Sequence, residues 1–439
     1  MAAALRHQLC RRHFRRRFCA DFGGGDADRA YSCAGRTWRR GRSRRLPLHG
    51  AVTVGRRHRL LPHRRPVQPL CVVRGDADRL VRPARARRAA GAARWRGEVW
   101  LHQFPRHHVF LLALGLLYGL LGTLNMADIM RVAPEANPAA MAGVAALLLL
   151  AFGMKAAAFP VNAWLPASYH TPPAVVSALF GGLLTKVGIY AMLRALVVLL
   201  PASRDLLEPV LVVIAVATLL IAPLGAIAET NLRRAIGFFV IGGVGSVLVG
   251  IALPSLAGVS GAGLYVFHAI LTMTAFYLVA GLVERRTGQS DTRRMGGLYA
   301  TTAPVSILFF VLVLATAGVP PFLGFWPKLL LLQAGLGEGS WLGGLVAIAL
   351  LVNAVLTLIA GSRLWAHIFW RPAPEGAATP ASASVATWLR VGTAGVLVGI
   401  VVAVGLWPNA MFEVLRLGAP DMLDPSRYVA AIGLAGGTP

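Results

Sequence analysis

Residues 155–166 read Lys155-Ala-Ala-Ala-Phe-Pro160-Val-Asn-Ala-Trp164-Leu-Pro166, and residues 318–328 read Gly318-Val-Pro320-Pro321-Phe-Leu-Gly-Phe-Trp326-Pro327-Lys328. Each places a lysine beside prolines in an otherwise apolar stretch. A proline removes a helical hydrogen bond, and non-helical backbone at membrane depth survives only where protein or water satisfies it. Broken helices beside ionisable groups are how secondary transporters build ion sites. These two segments therefore predict an all-α polytopic membrane protein with interrupted spans.

Outward from them, apolar runs recur from Val109 onward with short polar joints. A spanning helix needs about 20 mainly apolar residues. Nine candidates lie near 109–124, 139–158, 174–200, 208–228, 235–252, 261–283, 302–336 (interrupted), 342–369 and 388–406. Arg233 and Arg234 follow the fourth, and Arg285, Arg286, Arg293 and Arg294 follow the sixth, so both basic joints fall on one side. Joints on the opposite side are poor in base: 253–260 has no charge and 336–341 has only Glu338. By the positive-inside rule the arginine-rich side is cytoplasmic and the first span runs outward. Spans upstream of it are then expected to be missing.

The 439 residues are 56% hydrophobic and 14% charged, with mean hydropathy +0.62. A soluble protein carries roughly a quarter charged residues, so a single soluble domain is excluded. The net charge of +26 is unevenly placed. Residues 1–108 hold 27 arginines, no lysine and six acids, a net of +21, while 109–439 carry +5. An arginine-rich arm of this kind could bind RNA or anionic lipid or serve as a transit peptide. Arg, Ala, Gly and Pro without any lysine is also what a GC-rich gene gives when read out of frame. That is the expectation here, with the frame changing near 107–109 and no nucleic-acid partner. Cys10, Cys19, Cys33 and Cys71 all lie in this part without paired spacing, which excludes a disulfide scaffold and gives no metal or redox signal. The expected division is 1–108 Arg-rich, 109–410 transmembrane and 411–439 a C-terminal tail.

Lysine occurs only at Lys155, Lys186 and Lys328, all within or at the edge of apolar segments, while arginine supplies nearly every exposed cation. Arginine does not release its proton in a protein, whereas buried lysine titrates readily. An ionisable residue in a span is a functional hypothesis by default; the competing reading is a lysine snorkelling from a helix end. His268 lies inside the sixth span, where an imidazole can relay protons or simply bond a neighbouring helix. The cluster Gly242-Gly243-Val-Gly245 reads as close helix packing. No nucleotide loop, metalloprotease helix or nucleophile elbow is present, so neither cofactor, metal nor covalent chemistry is expected.

The stretch Lys155 to Arg194, with its wording Ala-Ser-Tyr169-His170-Thr-Pro-Pro, closely resembles the D-type subunits of the Mrp (Pha/Mnh) multisubunit cation/proton antiporters, relatives of the antiporter-like subunits of respiratory complex I. Gly122-Thr-Leu-Asn-Met-Ala-Asp128, Arg233-Arg234, Gly296-Gly297-Leu-Tyr299 and Pro320 to Lys328 resemble further family signatures in the same order. The resemblance implies a fourteen-helix fold with an inverted five-helix repeat, of which this chain carries helices six to fourteen. It also implies a hetero-oligomer in a bacterial inner membrane exchanging protons for Na⁺ or K⁺, a transporter subunit and at most a translocase component. Proton-path roles are implied for Lys155 and Lys328 on interrupted helices seven and twelve, Lys186 on helix eight, and His268 between them. Many relatives have a lysine where Met273 stands. The family's fifth helix carries a glutamate partner for the seventh-helix lysine, and the Arg-rich segment stands where that helix belongs. The alternative is a proton-pumping subunit of complex I or a membrane hydrogenase.

Overall fold

The computed structural model describes residues 107–372 and 385–431. The expectations for the Arg-rich segment therefore lie almost wholly outside the described residues. Among those described, every element is helical apart from one isolated bridge between Asn231 and Asp291. Eight helices are long and apolar enough to cross a membrane, and a bent pair brings the number to nine.

That pair is α1 (His107–Leu121) followed by α2 (Met126–Val132) and its terminal 3₁₀ turn, bent by 55°. In the sequence, 109–124 reads as one run. Gly122, at φ +71°, ends α1 early, and Asn125 restarts the chain by capping Ala127. Beyond it, α3 (Pro138–Ala156) opens with proline at its first position, where the missing N–H costs nothing. The Asn137 side chain accepts from Ala139 and Ala140 there. The short α4 (Trp164–Tyr169) completes this interrupted span. α5 (Ala174–Leu199) follows, then the one-turn α6 (Pro201–Leu206) and α7 (Glu208–Ala228).

α8 (Leu232–Ala252) is the centre of the bundle. Nearly all of it is buried, against α7 on one side and α9 (Leu256–Thr287) on the other. Its glycine cluster makes the approach possible: a Cβ on Gly243 would come within 3.0 Å of the Tyr265 ring, and one on Gly245 within 3.0 Å of Leu219. α10 (Leu298–Ala317) and α11 (Phe325–Gly337) form the second interrupted span. α12 (Trp341–Trp370), capped by Ser340 on the Gly343 amide, packs on α7, α10 and α11. α13 (Val385–Leu406) lies against α9 and α10, and the amphipathic α14 (Asn409–Leu423) and α15 (Ser426–Ala431) close the chain.

Ion pairs tie the arginine-rich end of α8 to α9 and to the joint after α7. Arg233 Nε meets Glu284 at 2.8 Å and also donates to the Pro172 carbonyl, while Arg234 meets Glu229 at 2.8 Å. One residue thus fastens α8, α9 and the turn leading into α5.

Candidate functional site

Both interrupted spans are built alike. α3 ends on Ala157 in the left-handed conformation (φ 65°, ψ 47°), and α10 ends on Gly318, also left-handed (φ 88°). Both breaks contain a cis proline bond, Phe159–Pro160 and Pro320–Pro321. A tryptophan follows each. Trp164 Nε1 reaches back to the Met154 carbonyl at 2.9 Å, and Trp326 Nε1 donates to the Gly405 carbonyl on α13 at 2.8 Å. The free amide of Phe159 is taken by Thr218 Oγ1 on α7 at 3.1 Å. At the first break these bonds satisfy the Phe159 amide and the Met154 carbonyl, as apolar surroundings require.

Lys155 sits in the last turn of α3, half-buried, with its aliphatic stem against Gly188 of α5; a Cβ there would come within 3.1 Å of Lys155 Cγ. Two residues before Gly188 is Lys186, 5% exposed. α5 widens into a π-turn over Phe180–Leu184, a distortion common at functional sites. There the Lys186 ammonium donates to the Gly181 carbonyl at 3.0 Å and to Thr185 Oγ1 at 3.3 Å. The same turn packs on α9, since a Cβ on Gly182 would clash with Thr274 and one on Gly181 with Tyr277.

His268 on α9 is 1% exposed. One ring nitrogen, Nδ1, lies 3.1 Å from Thr272 Oγ1 one turn along, and Tyr265 stands edge-on to the ring. The other, Nε2, is buried without a hydrogen-bond partner among the described residues. Opposite is the second break, where a Cβ on Gly324 would fall 3.0 Å from His268 Cε1. Lys328 follows in the first turn of α11, 9% exposed. Its ammonium donates to the Ala317 carbonyl at 2.8 Å, the Thr316 carbonyl at 3.2 Å and Asn353 Oδ1 at 3.5 Å. Gly318 serves twice here, allowing the left-handed turn and leaving room for the lysine stem, which a Cβ would meet at 2.7 Å.

The four residues singled out in the sequence thus lie in one series across the bundle: Lys155 against α5, Lys186 on α5, His268 on α9 and Lys328 at the second break. α5 meets α9 at Gly181 and Gly182, and α9 meets the second break at Gly324 beside the His268 ring. Such a row can pass a proton between groups that ionise, with water filling the gaps. Among the described residues no group of metal-binding side chains occurs. Thr272 and Asn353, which bond His268 and Lys328, and Thr218, which supports the first break, do not titrate, so a sequence read for ionisable groups passes over them. Two signals existed: Asn353 is a lone amide in a long apolar run, and Pro223 stands four residues after Leu219.

Residues 106–357 match the family described as NADH:quinone oxidoreductase/Mrp antiporter, TM. The D subunit of the Na(+)/H(+) antiporter of Bacillus subtilis (strain 168) is 30% identical over 325 residues, which cover 74% of this chain and 65% of that one. The chain thus spans slightly under two-thirds of that relative's length. Among solved structures, the Mrp complex from Dietzia sp. DQ12-45-1b aligns with a TM-score of 0.71 at 28% identity, covering 78% of this chain and 71% of that chain. The membrane-bound sulfane sulfur reductase, an archaeal respiratory membrane complex, gives a TM-score of 0.66 at 26% identity, covering 79% and 69%. Motifs, helix order and likeness over most of its length agree, and the chain belongs to the NADH:quinone oxidoreductase/Mrp antiporter family of membrane proteins.

Proposed function

We propose that this chain is the D-type subunit of a multisubunit monovalent cation/proton antiporter in a bacterial inner membrane, with the conducting part in residues 109–410. Protons move along Lys155, Lys186, His268 and Lys328 with intervening water, in exchange for Na⁺ or K⁺, and the chain works beside other subunits of the complex. The observation that carries this reading is the row itself. Lys186, His268 and Lys328 are buried among neutral partners, and Lys155 stands beside them, at a depth where placing a charge costs about 3 kcal/mol each. A scaffold has no use for that cost. Likeness to D-type antiporter subunits supports the cation side of the exchange.

The test uses the gene and its chromosomal neighbours expressed in an antiporter-deficient bacterium, with everted vesicles and a pH-sensitive dye. Adding Na⁺ or K⁺ is expected to collapse a preformed proton gradient, and Lys186→Ala to reduce the rate at least tenfold. Full exchange by Lys186→Ala would leave a scaffold role instead. The likeness to a respiratory complex favours a second reading, a proton-pumping subunit driven by electron transfer. Gradient formation on adding an electron donor, without cation-dependent collapse, would select it.

A further inference from the structure

Among the described residues, the most deeply buried side-chain amide is that of Asn353 on α12, 2% exposed. Its Nδ2 donates to the Leu219 carbonyl of α7 at 2.8 Å. That carbonyl is available for a reason written in the sequence. Pro223 stands four residues on, inside α7, and a proline has no N–H to offer the carbonyl one turn back. A carbonyl oxygen can only accept, so the NH₂ end of the Asn353 amide must face Leu219. The Oδ1 end is then committed to the other side, where it meets Lys328 Nζ.

An ammonium has three N–H donors. Lys328 has three acceptors: the Thr316 and Ala317 carbonyls and Asn353 Oδ1. Two of them end α10, where the helix dipole already favours a cation. The third is supplied by a side chain whose orientation is fixed from another helix. Turning that amide over would set its NH₂ against the ammonium, donor against donor. From α9, the titratable groups on this side are His268, whose ring lies against Gly324 of the same break, and Tyr265, which stands edge-on to that ring. α10 has no charged residue, and the charged residues of α8, α9 and α12, such as Arg233, Glu284 and Arg363, lie at helix ends in contacts of their own.

We propose that Asn353, locked in one amide orientation by the carbonyl that Pro223 leaves free, is the positioning residue for Lys328 and sets the pH at which this lysine takes up and releases its proton. The inference rests on the proton-path reading above. It is tested in the same vesicles by measuring exchange against pH for Asn353→Ala, Pro223→Ala, the double variant and Lys328→Ala. Pro223→Ala restores the backbone hydrogen bond within α7, so the helix is kept while Asn353 loses its anchor.

Asn353→Ala is expected to move the half-maximal pH of exchange about one unit towards acid, the size of one lost charge-assisted hydrogen bond. Pro223→Ala should move it the same way, with thermal stability unchanged or raised. The double variant should shift it no further than Asn353→Ala alone. Unmoved profiles in both single variants, with Lys328→Ala inactive, would overturn the positioning role and leave the path intact. Additive shifts would overturn the lock. Full exchange by Lys328→Ala would remove the path reading and this inference with it.

Discussion

At the scale of single residues, the first break depends on Ala157, which adopts a left-handed conformation that side chains other than glycine rarely take. The cost is about 1 kcal/mol. Glycine would relieve it but give up a fully buried methyl worth about 0.8 kcal/mol. Ala157→Gly should therefore leave thermal unfolding in detergent almost unmoved. Ala157→Val keeps the strain and overfills the site, and a loss of roughly 2 kcal/mol is expected; no loss would mean that the turn rearranges. His170, in the turn between α4 and α5, gives a pH-dependent counterpart. Its Nδ1 donates to the Pro166 carbonyl at 2.9 Å, and burial, with lesser contributions from Arg234 and Arg233, holds its pKa below 6.5. The folded state thus binds fewer protons than the unfolded state as pH falls from about 6.5. Stability is complete above that value and declines below it. His170→Asn should flatten the fall in melting temperature between pH 7 and 5, and an unchanged slope would place its origin elsewhere.

At the scale of elements, the sequence carried most of what the structure displays, and the reasons are physical. Spans were legible because an apolar run of about 20 residues matches the thickness of a bilayer and little else, and the interruptions because proline cannot continue a helix ladder. The second break opens after Ala317 and closes at Phe325, inside the run read as 302–336. The kink at Thr302 within α10 (φ −143°, ψ 45°) stands two residues before Pro304, at the start of the run read as 302–336. The π-turn before Lys186 was not legible, since no residue type marks a widened turn. Asn353 was missed for another reason: its meaning lies in a proline 130 residues away in sequence. Among the joints, the pairing of α8 with α9 depends on Arg233 and Glu284, whose side chains are 14% and 15% exposed. Arg233→Ala strands a carboxylate there and should cost roughly 3 kcal/mol. Arg233→Ala with Glu284→Gln should recover part of it; a double variant as unstable as the single one would assign the loss to the Pro172 contact instead.

At the scale of the whole molecule, the four residues proposed for the proton path come from four different elements, so no single helix could carry them. α3 brings Lys155 to α5, α5 and α9 face each other through the Gly181–Gly182 contact, and α9 meets the second break at Gly324. α7 lies beside this series and carries none of its charges, yet two consecutive residues of α7 touch both ends. Thr218 holds the amide of Phe159 at the first break, and Leu219 holds the amide that serves Lys328 at the second. Consecutive residues of a helix differ by about 1.5 Å in height, and a helix resists compression along its axis. α7 thus places the supports of the two interruptions within one helical step of each other along its axis. A one-residue insertion after Thr218 would turn Leu219 away by about 100° and raise it by one step, so that one interruption keeps its support while the other loses it.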